Sequence, residues 1–269
     1  LWISYIDALI AEKQFTDAEN VLAQGKKSGV DPDSIEALSQ QLRSIKSGTS
    51  PAQTELNRLL NYYKNGQHDH ALQLATSLSK QFPNHDLSWK IMAALLKDQG
   101  KLSKAVLTEK KIIEANPNDA NNYYNLGNTL LKLQRFKEAE SRYKQTIALK
   151  VDHADAHNNL GVILKEQDRL DEAESSCRQA IAFNPYYAEA HNNLGVTLQK
   201  LGRPEEAEGS YRQAISLKFD YVEAHNNLAT TLLELARLVE AETSSRQAII
   251  LKPDFALAQY NLGNTLSEL

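Results

Sequence analysis

The chain has 269 residues, a net charge of −4, a single cysteine and 42% hydrophobic residues. Near-neutral charge without a basic stripe argues against nucleic acid as a partner, and no apolar run approaches the roughly 20 residues that span a bilayer. One thiol cannot form an intramolecular disulfide, which fits a reducing, cytoplasmic setting. No signal peptide is visible, and both ends look cut, as in a fragment of a longer protein.

In chain order, residues 1–32 read as a divergent helical pair. Asp31-Pro32-Asp33-Ser34 reads as a turn, with Ser34 or Asp33 capping a helix from Ile35 to Ile45. With Ser47-Gly48-Thr49-Ser50-Pro51, the best candidate for a boundary or hinge, this helix makes 33–51 an insertion. Residues 52–255 then fall into six rows of 34 without a gap, starting at 52, 86, 120, 154, 188 and 222. Residues 256–269 supply only the first helix of another row. Rows 120 to 222 are close copies, whereas the earlier rows diverge, as expected of a cap or a dedicated contact surface.

The period is explicit: His-Asn-Asn-Leu stands at 157–160, 191–194 and 225–228. Within each row, position 7 is Leu126, Leu160, Leu194 and Leu228, and position 8 is Gly127, Gly161, Gly195 and Ala229. Position 11 is Leu130, Leu164, Leu198 and Leu232, and position 20 is Ala139, Ala173, Ala207 and Ala241. Positions 4, 7, 8 and 11 share one face of a first helix, A; positions 20, 24 and 27 share one face of a second, B. Small residues at 8 and 20 let A and B approach. Gly66, Gly100 and Gly202 at position 15 suit a left-handed turn. Pro185 and Pro253 at position 32 stop helix B.

This pattern resembles the tetratricopeptide repeat, and the resemblance covers nearly the whole chain. It implies an all-α fold: a right-handed α-solenoid superhelix of helical hairpins, each pair stacking on the next because neither helix buries its apolar face alone. It also implies a non-catalytic scaffold for protein–protein interaction.

In such a superhelix the concave wall is lined by helices A at positions 2, 5, 6, 9, 12 and 13. Position 6 reads Asn57, Ile91, Asn125, Asn159, Asn193, Asn227 and Asn261. Position 5 reads Leu56, Lys90, Tyr124, Asn158, Asn192, Asn226 and Tyr260. Neither position belongs to the expected packing face, and Asn is a mediocre helix former. A carboxamide offers two donors and an acceptor, so it can bond one peptide unit without regard to side chain. Helices pack about 8–10 Å apart and an extended chain advances roughly 3.3 Å per residue, so one amide per repeat meets about every third residue. The rows are similar to those of O-linked N-acetylglucosamine transferases, where position-6 asparagines line the groove. The resemblance carries over to Asn125, Asn159, Asn193, Asn227 and Asn261 and fails at Ile91. The expected peptide-binding set is these five with Tyr124, Asn158, Asn192, Asn226 and Tyr260. A second reading stands beside it: the amides were copied with the repeat unit, or bond between adjacent helices A and stiffen the stack.

Other candidates carry less. His157, His191 and His225 at position 4 are a helix-pair spacing apart, too far to share an ion, and read as packing residues. His68, His70 and His85 read as surface residues, and Cys177 as a small core residue in the aromatic slot at position 24. Arg135, Arg169, Arg203 and Arg237 at position 16 read as solvated turn residues. Lys90 with Asn125 and Asn128 is the nearest approach to a clamp for a C-terminal carboxylate. No catalytic motif, metal site or cofactor site is visible. The expected partner is therefore an extended peptide or protein segment. Two alternatives remain: a substrate-recruiting region of a larger bacterial glycosyl- or methyltransferase, and a scaffold that forms homo-oligomers by end-to-end stacking of its terminal repeats.

Overall fold

The computed structural model describes residues 2–12, 14–46 and 50–269. Ser47, Gly48 and Thr49 of the expected hinge lie outside the described residues. Among the described residues there are sixteen helices and no strand. The chain is an all-α solenoid of helical hairpins, and it divides into two compact units, 1–133 and 134–269.

The first unit holds α1 (Trp2–Ala11), α2 (Phe15–Lys27), α3 (Pro32–Lys46), α4 (Gln53–Lys64), α5 (His68–Gln81), α6 (Asp86–Asp98), α7 (Leu102–Ala115) and α8 (Ala120–Lys132). Helices α1 to α3 close a small core of their own around Ile6, Leu9, Ile10, Leu22, Ile35, Leu38 and Leu42. The cap of α3 differs from expectation. Asp31, not Asp33 or Ser34, accepts the Ser34 amide at 3.0 Å, leaving Pro32 at the first helical position, where its missing N–H costs nothing. A second core gathers Leu59, Ala71, Ala75, Leu78, Ile91 and Leu95 from α4, α5 and α6.

The second unit holds α9 (Phe136–Leu149), α10 (Ala154–Glu166), α11 (Leu170–Phe183), α12 (Ala188–Lys200), α13 (Pro204–Leu217), α14 (Val222–Glu234), α15 (Leu238–Leu251) and α16 (Ala256–Glu268). Helices α10, α12 and α14 each pair with the helix that follows. The close approach needs the glycine at position 8. A Cβ on Gly195 would lie 2.6 Å from the Tyr211 ring, so that ring packs directly over bare backbone.

In the six rows that start at 52 to 222, the turn from A to B has one geometry. Position 15 is left-handed not only at Gly66, Gly100 and Gly202 but also at Gln134, Asp168 and Ala236, with φ of 56°, 59° and 56°. The next amide returns to the carbonyl of position 11, as in Arg203 to Leu198 (3.0 Å) and Arg237 to Leu232 (2.9 Å), the six-to-one bond that closes a helix C-terminus.

The arginines at position 16 are turn residues open to solvent, as the sequence suggested, but they are also paired. Arg169, Arg203 and Arg237 each fork onto the glutamate three residues on (Glu172, Glu206, Glu240). Each also reaches the preceding repeat's Glu140, Glu174 or Glu208, at 2.9, 2.7 and 2.5 Å. Burial raises the Glu174 carboxyl, but Arg178 and Arg203 together hold it below the ordinary carboxylate range. A guanidinium presents five donors in a planar fork, so it can hold two carboxylates at once. Consecutive helices B are thereby tied along their outer side.

Candidate functional site

At 100° per residue, positions 2, 9 and 13 of a helix A point away from the packing face set by 4, 7 and 11. Positions 5 and 6 flank that outward face on opposite sides. Each is therefore turned toward a neighbouring helix A, one toward the next repeat and the other toward the preceding one. Small contacts between α10 and α12, α12 and α14, and α14 and α16 make this seam.

The asparagines meet there. Asn193 Nδ2 donates to Asn158 Oδ1 at 2.9 Å, Asn227 Nδ2 to Asn192 Oδ1 at 3.1 Å, and Asn261 Nδ2 to Asn226 Oδ1 at 3.0 Å. Position 6 of each repeat thus bonds position 5 of the repeat before. Asn158, Asn192 and Asn226 are only 4%, 6% and 6% exposed. The expectation that positions 5 and 6 are not needed for the core is corrected for this unit: position 5 is a buried seam residue. Asn159, Asn193 and Asn227 are half-buried, and Asn261 is buried and also donates to Thr230 Oγ1 at 2.9 Å. Asn193 and Asn227 each give an N–H to the neighbour at the seam, Asn261 gives its nitrogen to both Asn226 and Thr230, and the oxygen of Asn159 accepts from the adjacent Asn158 Nδ2 at 3.3 Å.

Two buried tyrosines reach this face from helices B. Tyr143 OH accepts from Asn159 Nδ2 at 3.4 Å. Tyr211 OH donates to Gln199 Oε1 at 3.1 Å, and Gln199 Nε2 donates to Glu234 Oε1 of the next repeat at 2.8 Å. Burial, with Glu234 nearby, pushes the Tyr211 phenol well above its ordinary range, so it stays protonated and a donor. Between the amides, position 9 supplies half-buried Val162, Val196 and Thr230 at the centre of the outward face. The four helices A of this unit carry Asp155, Glu166, Glu189, Glu223, Glu234 and Glu268 against Lys165 and Lys200, so their combined charge is −4. Of the other expected site residues, Tyr124 and Asn125 sit on α8 in the first unit, half-buried and exposed. Tyr260 is 66% exposed on α16.

The remaining candidates resolve into structural roles. His157, His191 and His225 place Nε2 at 2.9, 3.0 and 2.9 Å from the carbonyls of Val151, Pro185 and Phe219. Trp89 Nε1 makes the same bond to Pro83 O at 2.9 Å. In these rows position 4 therefore pins the start of helix A to the end of the preceding B. A carbonyl only accepts, so the ring nitrogen facing it carries the proton. His85 is half-buried at the start of α6, more enclosed than the surface residue expected. Lys90 is held by Asp86 at 2.7 Å and Asp119 at 3.7 Å, which occupies the cation a carboxylate clamp requires. Cys177 is buried and its thiol is pushed up to about 12, chiefly by burial, so it is inert packing at neutral pH. No grouping of His, Cys, Asp and Glu among the described residues suits a metal ion, and no described helix is long and apolar enough to cross a membrane.

Sequence reasoning offered bonding between adjacent helices A as its second reading but did not identify the partners, and it missed the two tyrosines. A signal for the pairing was present: the partners lie 35 residues apart, and the Asn-Asn doublets of rows 154, 188 and 222 recur in step.

A family model described as tetratricopeptide repeat matches residues 124–188, and another of the same description matches 188–221. No curated protein matches the sequence. Among solved structures, the chain is similar to Cut9–Hcn1 of the APC/C, at 17% identity and a TM-score of 0.67, over 98% of this chain and 55% of that one. It is similar to TTC0263, a thermophilic TPR protein in Thermus thermophilus, at 26% identity and 0.54, over 68% and 100%. It is also similar to YrrB, a TPR protein with an unusual peptide-binding site, at 22% and 0.56, over 69% and 96%.

Proposed function

We propose that this chain, a tetratricopeptide repeat protein, is a scaffold that holds an extended polypeptide segment along the outward face of α10, α12, α14 and α16. One observation carries the reading: each of three successive repeats presents a half-buried position-6 amide beside a small position-9 side chain (Asn159 with Val162, Asn193 with Val196, Asn227 with Thr230). At Asn193 and Asn227, giving one N–H to the neighbouring repeat holds the carboxamide in place and preorganises it for a peptide unit, and Asn159 is held instead by Tyr143 OH. Amides at helix spacing then meet the partner backbone about every third residue. Main-chain contacts of this kind tolerate varied sequences, and the acidic wall favours neutral or basic segments over acidic ones.

The test uses a phage-displayed library of random 12-residue peptides and total phage retained over a blank. Val162→Glu with Val196→Glu places two bulky charges at the centre of the face; Val196 also packs against the edge of the core around Leu194, Leu198 and Tyr211, so retention is read with the melting temperature beside it. Retention by the unaltered protein and its loss in this variant, at a closely similar melting temperature, is the expected outcome. Equal retention by both overturns the reading.

A further inference from the structure

Position 24 of helix B is usually read as a packing slot, and here it is filled unevenly: Tyr143, Cys177, Tyr211 and Ser245 occupy it in successive repeats, all buried. A slot that accepts Cys and Ser does not demand an aromatic ring for its own sake. What distinguishes the two tyrosines is where their hydroxyls end. Tyr211 crosses the bare backbone of Gly195 and reaches Gln199 at position 12. The repeats with Cys177 and Ser245 carry Lys165 and Leu233 at position 12, side chains with no amide to orient. Tyr143 reaches the position-6 amide of the following repeat, Asn159.

We propose that Tyr143 and Tyr211 are positioning residues of the peptide-binding face, acting from the outer helices to fix the carboxamides of Asn159 and Gln199. The proposal rests on the groove reading above. Each hydroxyl is shielded from water, so its bond to the amide is not exchanged for a bond to solvent. Gln199 is held at both ends, its oxygen by Tyr211 and its nitrogen by Glu234. An amide fixed in one orientation presents its donors and acceptor to a partner without first losing rotamer freedom, which is the physical content of preorganisation.

Tyr143→Phe and Tyr211→Phe remove one oxygen each and keep the ring, so folding is not at stake. Two readouts apply. The first is hydrogen exchange of the side-chain amides of Asn159 and Gln199 by NMR, which needs no ligand. The expected result is exchange about five- to tenfold faster at Asn159 in the first variant, whose N–H loses its Tyr143 acceptor, and faster exchange at Gln199 in the second, whose oxygen loses the Tyr211 donor so that the amide turns more readily off Glu234. The second is retention of the random 12-residue phage library, expected to fall severalfold in the double variant at a nearly constant melting temperature. Unchanged side-chain exchange overturns the proposal. So does faster exchange with undiminished retention, provided that Val162→Glu with Val196→Glu has abolished it. If that control variant also retains phage, the groove reading fails and the positioning role with it.

Discussion

Asn193 and Asn158 stand 35 residues apart in sequence and share a 2.9 Å hydrogen bond across the seam between α12 and α10. Asn158 is buried, so its oxygen has no water to turn to if the donor is removed. Asn193→Ala should therefore destabilise the protein by about 1–3 kcal/mol, the cost of an unsatisfied buried acceptor. Replacing both residues by Ala should cost less than the sum of Asn193→Ala and Asn158→Ala, because neither partner is then left unpaired. Urea unfolding of the four proteins in this cycle measures the coupling. An Asn193→Ala protein as stable as the parent would reduce the pair to a surface contact.

This pair also marks where sequence reading stopped. The fold was legible because a period of 34 with Leu at 7, a small residue at 8 and Ala at 20 admits one packing. The asparagines were legible as a line, since Asn at five successive position-6 sites lies outside the expected core. Their mutual bond was legible only as a second reading without its partners, because a row-by-row reading compares equivalent positions, whereas the bond joins position 6 to position 5 of the row before. The Arg–Glu ties escaped for the same reason: Arg203 answers Glu174, position 21 of the preceding row. Contacts between unlike positions of neighbouring repeats depend on how the hairpins stack, which no single row contains.

Gly195 offers a sharper test of packing. A methyl group there would lie 2.6 Å from Tyr211 Cε1 and 2.9 Å from Cζ, against a ring that is fully buried. Gly195→Ala is favourable for an isolated helix, so the sign of the outcome separates propensity from packing. Overpacking typically costs about 1–3 kcal/mol, and destabilisation in that range is expected. Tyr211→Ser, which copies the neighbouring Ala229–Ser245 arrangement, should relieve part of it. Calorimetry on the two single variants and the double checks both statements.

Ala236 makes the opposite case. Its φ of 56° puts an L-residue in the left-handed region, at the turn position that Gly66, Gly100 and Gly202 occupy in other rows. Left-handed backbone costs an ordinary L-residue roughly 1–2 kcal/mol, partly offset by the larger unfolded-state entropy of glycine. Ala236→Gly should raise stability by about 0.5–1 kcal/mol without altering any contact. Gly202→Ala should lower it by a comparable amount, and thermal melting of both variants decides the matter.

Glu109 on α7 is the carboxyl least suited to its surroundings. It is buried at position 24, where other rows place Ala, Tyr, Cys or Ser, and it meets Lys97 Nζ at 3.1 Å. Burial raises its pKa, and Lys97 opposes the shift without cancelling it. With the folded value above the unfolded one, the folded state holds the proton more tightly. The stability this contributes is complete below the unfolded pKa and is lost as pH rises through the folded one. At neutral pH the first unit therefore carries a carboxylate it would rather protonate. Glu109→Gln removes the charge at nearly constant volume, so it should raise the melting temperature at pH 7 and have little effect near pH 4, where the acid is already neutral. A gain that persists at low pH would trace the effect to packing, and a loss at pH 7 would mean that the Lys97 pair outweighs the burial of the charge.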